Sequence, residues 1–147
     1  MIREDRGPEF WTRIASHPEV RKTLYGLPPE LVGENMMRPE VRHFSSLRGG
    51  WAFVRLDSCG LVWDTHAMFT PQGWGREAHA VLKYALRAMF RTAQVLTVSE
   101  TDNPRSRPPL SFGFRPAGGA TQTVVGPLKS WILTRAAWES SPAYRRA

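Results

Sequence analysis

Residues 66–92 read HAMFTPQGWGREAHAVLKYALRAMFRT, and this stretch decides the fold. Leu61 to Phe69, which runs into it, is short and rich in apolar and β-branched residues, which predicts a strand. Pro71-Gln72-Gly73-Trp74-Gly75-Arg76 breaks the strand pattern. From Arg76 to Thr92, Ala78, Val81, Leu82, Ala85 and Met89 recur at helical spacing as one apolar stripe. Arg76, Lys83, Arg87 and Arg91 fall away from that stripe, as a solvated face does. At the start of such a helix the first-turn N–H groups have no internal partners. The aligned peptide dipoles add a partial positive charge there. Gly73 and Gly75 would let a ligand approach the backbone, and Arg76 adds a full charge. The arrangement predicts a site for an anionic ligand, most simply a phosphate-bearing cofactor. A plain structural turn is the other reading, because a lone Gly-x-Gly carries little information.

The pattern extends outward in both directions. Val41 to Leu47 and Trp51 to Leu56 predict two strands about the turn Arg48-Gly49-Gly50. The second is almost wholly apolar, as a strand covered on both faces is. Asp57-Ser58-Cys59-Gly60 then leads into Leu61 to Phe69, making a three-strand meander. Farther upstream, Pro8 to Ser16 carries Phe10, Trp11 and Ile14 at helical spacing. Ser16 or His17 caps a second helix with Pro18 in its first turn. Gly26 and Pro28-Pro29 stop that helix, and residues 26–40 read as loop with a weak helical turn. Downstream, Val95 to Ser99 is a short strand and Asp102 to Pro109 is irregular. Thr121 to Val125 and Ser130 to Thr134 are two last strands joined by Gly126-Pro127. Trp138 packs the end down, and Ser140 to Ala147 is a basic tail. This order predicts an α+β domain with helices around a largely antiparallel sheet. The crossover rule makes Leu61 to Phe69 and Val95 to Ser99 parallel.

The chain has 147 residues, enough for one domain with a real core. Apolar residues make up 41% and charged ones 22%, which excludes a disordered chain. The formal net charge is +7, which favours anionic partners. Arginine far outnumbers lysine, as Arg-rich coding alone would produce, and the basic residues are scattered with no run longer than Arg145-Arg146. Nucleic acid as a partner would rest on charge alone, without a reader motif. The single cysteine, Cys59, excludes an internal disulfide and a Cys-rich zinc site. It is compatible with a reducing compartment. The start Met-Ile-Arg-Glu-Asp-Arg is charged and has no signal-peptide core behind it. No stretch approaches the ~20 apolar residues of a membrane span. His17, His43 and His79 are scattered, so no metal site is predicted.

Taken in order, these residues resemble the GCN5-related N-acetyltransferases (GNATs), and more narrowly the divergent small members common in bacteriophage genomes. The resemblance covers roughly Val41 to Trp138. It is carried by the meander, His66-Ala67-Met68-Phe69-Thr70-Pro71, Gly75-Arg76 with the long helix, and Asp102-Asn103-Pro104 about ten residues before Gly113-Phe114-Arg115-Pro116. It implies a GNAT-like α+β fold with a mixed, mostly antiparallel sheet flanked by helices. One domain is expected, with residues 1–40 a helical N-terminal part, 41–138 the core and 139–147 the basic tail. The two parallel strands should diverge at one end. The cofactor implied is acetyl-CoA. The backbone of Ala67, Met68 and Phe69 would hold its pantetheine arm, and the N–H groups of Trp74, Gly75, Arg76, Glu77 and Ala78 its pyrophosphate. Asn103 would sit near the cofactor's far side.

Two departures bear on activity. The family loop asks for Gln or Arg, two spacers, Gly, one spacer, then Gly or Ala. From Gln72, Gly75 fits but the last position is Glu77. A carboxylate beside a pyrophosphate would be repulsive by about 1 kcal/mol or more, whereas in the first helical turn it complements the dipole. If acetyl-CoA binds, Glu77 must point away, and Glu77→Gly should leave binding unchanged or stronger. The family's tyrosine acid would fall near Pro109, inside Pro108-Pro109, which cannot sustain a helix interior.

Acetyl transfer to an amine needs a base for the ammonium proton. Asp64 and His66 share a strand face by alternation and are the candidate catalytic pair. The other reading pairs Asp64 with an arginine and leaves His66 as a hydrogen-bonded, half-buried residue. The expected function is acetyl-CoA-dependent transfer of an acetyl group to an amine substrate. The alternative is a non-catalytic protein of the same fold, acting through protein partners, self-association or phage-particle proteins. The expected location is the cytoplasm of a bacterial or phage-infected cell, or, on the alternative, a virion.

Overall fold

The apolar stripe of the long helix α4 (Arg76–Met89) is fully used. Ala78, Val81, Leu82, Ala85 and Met89 are all buried, and Leu86 and Phe90 widen the stripe. α4 follows β3 (Val62–Phe69) and precedes β4 (Val95–Glu100), and the two strands run parallel. Their register runs from Val62 opposite Val95 to Thr65 opposite Val98, and both strands continue past that last pair. The computed structural model describes residues 1–101, 103–123 and 126–146. Its sheet is mixed and has six strands in the order β1-β2-β3-β4-β6-β5, with β1 Val41–Ser46, β2 Gly49–Arg55, β5 Arg115–Thr123 and β6 Gly126–Thr134. The chain divides into two compact units, Met1–Val54 with His66–Ala88 and Arg55–Thr65 with Met89–Ala147.

In the first unit three short helices each begin on a proline: α1 (Pro8–Ala15), α2 (Pro18–Arg21) and α3 (Pro29–Met36). Proline suits that position because its missing N–H would be unpaired there anyway. His17 caps α2, its Nδ1 accepting from the Glu19 N–H at 3.2 Å. α3 corrects the expectation of a loop over residues 26–40: Pro29 opens a helix where the Pro-Pro pair reads as a stop. Gly33 fits α3 against α1, since a Cβ there would lie 2.3 Å from Thr12 Oγ1 and 2.7 Å from the Pro8 carbonyl. Trp11, Ile14, Ala15, Val20 and Met68 form the core beneath. β1 and β2 form an antiparallel hairpin, Val41 opposite Val54 through Ser46 opposite Gly49. Outside β1, Arg3 and Ser45 exchange two backbone hydrogen bonds, both 2.8 Å.

In the second unit β6 is antiparallel to both β4 and β5. Asp57 closes the turn before β3, its Oδ1 accepting from the N–H groups of Leu61 (3.0 Å) and Val62 (3.1 Å). Leu96, Val98, Trp131 and Leu133 are buried in this part of the sheet. β5 is longer than predicted, and its register against β6 shifts between Pro116 and Ala120. Gly126 and Pro127 belong to β6 rather than to a joint. Asp102 and Val124-Val125 of the predicted segments lie outside the described residues. α5 (Arg135–Glu139) is capped by Thr134 Oγ1, which accepts the Ala137 N–H at 3.1 Å. Trp138 stacks on Phe112 with ring centroids 5.7 Å apart. The expected tail folds again as α6 (Pro142–Arg145), where Ser141 Oγ accepts the Tyr144 N–H.

Candidate cofactor-binding loop

The loop between β3 and α4 is built from short-range constraints. Thr70 donates its N–H to the Arg48 carbonyl at 2.9 Å, and Gly73 donates to the Thr70 carbonyl at 2.8 Å, closing a 3-10 turn over Pro71–Gly73. Gly73 is there for packing: a Cβ would stand 2.9 Å from both Arg48 Cβ and Phe69 Cδ1. Gly75 is there for conformation, with φ +89° and nothing within 4 Å of where a Cβ would be. The first helical bond runs from the His79 N–H to the Gly75 carbonyl at 2.9 Å. The N–H groups of Gly75, Arg76, Glu77 and Ala78 find no acceptor among the described residues. Arg76 is exposed. Trp74 packs its ring on Phe69, centroids 5.2 Å apart. The side chains of Met68 and Phe69 are buried and that of Ala67 is half-buried, so these three can offer a ligand mainly their backbone.

Glu77 turns toward the β1–β2 turn. Its carboxylate accepts from Ser46 Oγ, from the Arg48 N–H at 3.0 Å and from Arg48 Nη1 at 2.8 Å. Partial burial pulls the Glu77 carboxyl upward. The hydrogen bonds from Ser46 and from the Arg48 side chain and backbone, with the Arg48 charge, outweigh that and hold its pKa below the usual carboxylate value. These partners were not found by sequence reasoning. Arg48 lies 29 residues away from Glu77 along the chain, and Arg48-Gly49-Gly50 reads only as a turn.

The predicted catalytic pair lies earlier on β3. Asp64 Oδ1 accepts from Thr97 Oγ1 at 2.6 Å, across the parallel register, where an arginine was the alternative expectation. Asp64 is half-buried and His66 is exposed. Between them Thr65 is buried, and its Oγ1 has no partner among the described residues. No group of three or more His, Cys, Asp or Glu among the described residues could hold a metal. No helix among them is long and apolar enough to cross a membrane.

No family model matches the sequence, and no curated protein matches it significantly. Solved structures do match. The aminoglycoside acetyltransferase AAC(6')-Ib in complex with coenzyme A aligns with TM-score 0.72 over 95% of this chain and 96% of that one, at 12% identity. A spermidine N-acetyltransferase SpeG chimera from Vibrio cholerae and hSSAT gives 0.71 over 95% and 98%, at 11% identity. A GCN5-related N-acetyltransferase from Brucella melitensis gives 0.72 over 98% and 78%, at 15% identity. The chain has the GNAT fold. At these identities the likeness establishes architecture. Against the GNAT pattern, Asn103 closes its own turn: its Oδ1 accepts the Arg105 N–H at 3.1 Å and its N–H donates to Thr101 Oγ1 at 3.1 Å. Pro109 precedes a 3-10 turn, Leu110–Phe112, at the place where the resemblance implies a tyrosine-bearing helix.

Proposed function

We propose that this chain binds acetyl-CoA at the loop from Trp74 to Ala78 and transfers the acetyl group to an amine. The observation that carries this reading is the set of unaccepted N–H groups at Gly75–Ala78, with the neighbouring Glu77 carboxylate tied to Ser46 and Arg48. An anion there meets donors and a helix dipole rather than a bare negative charge. Structural neighbours crystallised with coenzyme A, one also with kanamycin, support the ligand class.

In this reading the N–H groups of Gly75 to Ala78 and the Arg76 guanidinium hold the pyrophosphate; the Trp74 N–H, expected among them, is instead donated to the Pro71 carbonyl at 3.4 Å. The backbone of Ala67, Met68 and Phe69 holds the pantetheine arm. Asn103, which the resemblance implies near the cofactor's far side, is held in its own turn by Thr101 and Arg105. Bound acetyl-CoA supplies an acetyl group activated as a thioester. His66, exposed on β3, takes the proton from the acceptor ammonium, and Asp64, fixed by Thr97, supports the positive charge His66 then carries. A ligand at about a hundred times its dissociation constant stabilises the fold by about 2.7 kcal/mol. Thermal melts should therefore rise measurably with acetyl-CoA, and thiol release should follow when an amine is added. A melting curve indifferent to millimolar acetyl-CoA and CoA would sink the proposal.

The competing reading is a GNAT-fold protein without catalysis that acts through a protein partner. Pro108-Pro109, at the place of the family's tyrosine, favours it. Stabilisation by acetyl-CoA with no thiol release across primary amines would select it.

A further inference from the structure

Arg48 holds both ends of the cofactor loop. At the start of the loop, the Arg48 carbonyl accepts the Thr70 N–H at 2.9 Å. At its end, the Arg48 N–H and Nη1 both donate to the Glu77 carboxylate, at 3.0 and 2.8 Å. Between them, Gly73 lies flat against Arg48 Cβ. Glu77 is also bound by Ser46 Oγ, so three donors converge on one carboxylate. Gly75, at the position before the helix, has no side chain with which to cap it. The first turn of α4 is therefore anchored from within, by Glu77, rather than from a cap.

We infer that Glu77 is a positioning residue for the phosphate groups of coenzyme A. Through Ser46 and Arg48 it fixes the direction in which the N–H groups of Gly75 to Ala78 point. This rests on the acetyl-CoA reading above and reverses the expected effect of replacing Glu77. With its carboxylate saturated by donors, Glu77 does not repel a pyrophosphate. Removing it frees the helix start, and the N–H groups must then be ordered at the expense of binding energy.

Calorimetric titration with CoA, well below the melting temperature of each variant, tests this. Glu77→Ala should weaken CoA binding by about tenfold or more. Glu77→Gln keeps an acceptor oxygen for Ser46 and Arg48, and should stay within about threefold of wild type. That rescue is not expected of a residue that acts through its charge alone, and the intermediate loss in Ser46→Ala is not expected of one that merely fills space. Ser46→Ala, which removes one donor and keeps the rest, should fall between them and serves if Glu77→Ala does not fold. A folded Glu77→Ala protein that binds CoA as tightly as wild type, or more tightly, would overturn the inference, as would equal losses in the Ala and Gln variants. No binding by wild type would instead reject the acetyl-CoA reading itself.

Discussion

Gly49 shows how much one missing side chain can decide. It sits at the start of β2 with φ +148°, and a Cβ there would stand 2.1 Å from the Met68 carbonyl oxygen and 2.6 Å from Phe69 Cα. Backbone atoms cannot yield as a flexible side chain can. Gly49→Ala should destabilise the protein by about 2–4 kcal/mol, from overpacking and backbone strain together. Urea denaturation would read this as a lower midpoint, and an unchanged midpoint would mean that β2 does not approach the end of β3 this closely. Gly75 offers the contrast, since open space surrounds it and only its positive φ resists substitution. Sequence alone treats Gly73 and Gly75 as equivalent invitations to a ligand. The structure separates them, because Gly73 answers to Arg48 and Phe69. Glu77 was legible as a departure from a pattern, yet its destination was not. Its partners lie on a hairpin that periodicity describes only as two strands and a turn.

At the scale of elements, α4 was the most legible part of the chain. Five apolar positions at strict helical spacing fix its buried face, and all five are buried. Val81, 1% exposed, should not tolerate a carboxylate: Val81→Asp is expected to cost several kcal/mol, visible as a large drop in melting temperature by circular dichroism. A Val81→Asp protein as stable as wild type would show that α4 is not docked by this stripe. The parallel pairing of β3 and β4 followed from the helix between them. α3 reads in the sequence only as a weak helical turn because Gly26 and Pro28-Pro29 read as breakers, and Gly33 adds no helical signal. Pro29 in fact starts the helix, and Gly33 has a tertiary reason, since it admits the backbone of α1. α6 was hidden by composition, since arginines and a proline resemble a solvated tail until Ser141 is seen to cap them. The candidate catalytic positions were read from strand alternation. That rule places Asp64 and His66 on one side of β3 but says nothing about Thr97, which follows α4 in sequence.

For the whole molecule, charge is the property read most directly from composition. A net charge of +7 should draw a multiply charged anion such as CoA by long-range attraction. The association rate measured by stopped flow should then fall by about tenfold as ionic strength rises from low to several hundred millimolar, as screening shortens the reach of the field. A rate indifferent to salt would mean that the excess charge lies on surfaces unrelated to the ligand. The two outermost strands of the sheet carry a different consequence. Along β1, Arg3 already takes up the Ser45 N–H and carbonyl. In β5, Pro116 lacks a donor, and the chain leaves regular register between Pro116 and Ala120. Unpaired strand edges are where chains recruit one another into aggregates, and proteins blunt them with proline, bulges and covering segments. Both margins of this sheet bear such guards. A neighbour's strand would meet an occupied backbone at Ser45 and a broken register between Pro116 and Ala120, so addition of a strand at those points is hindered.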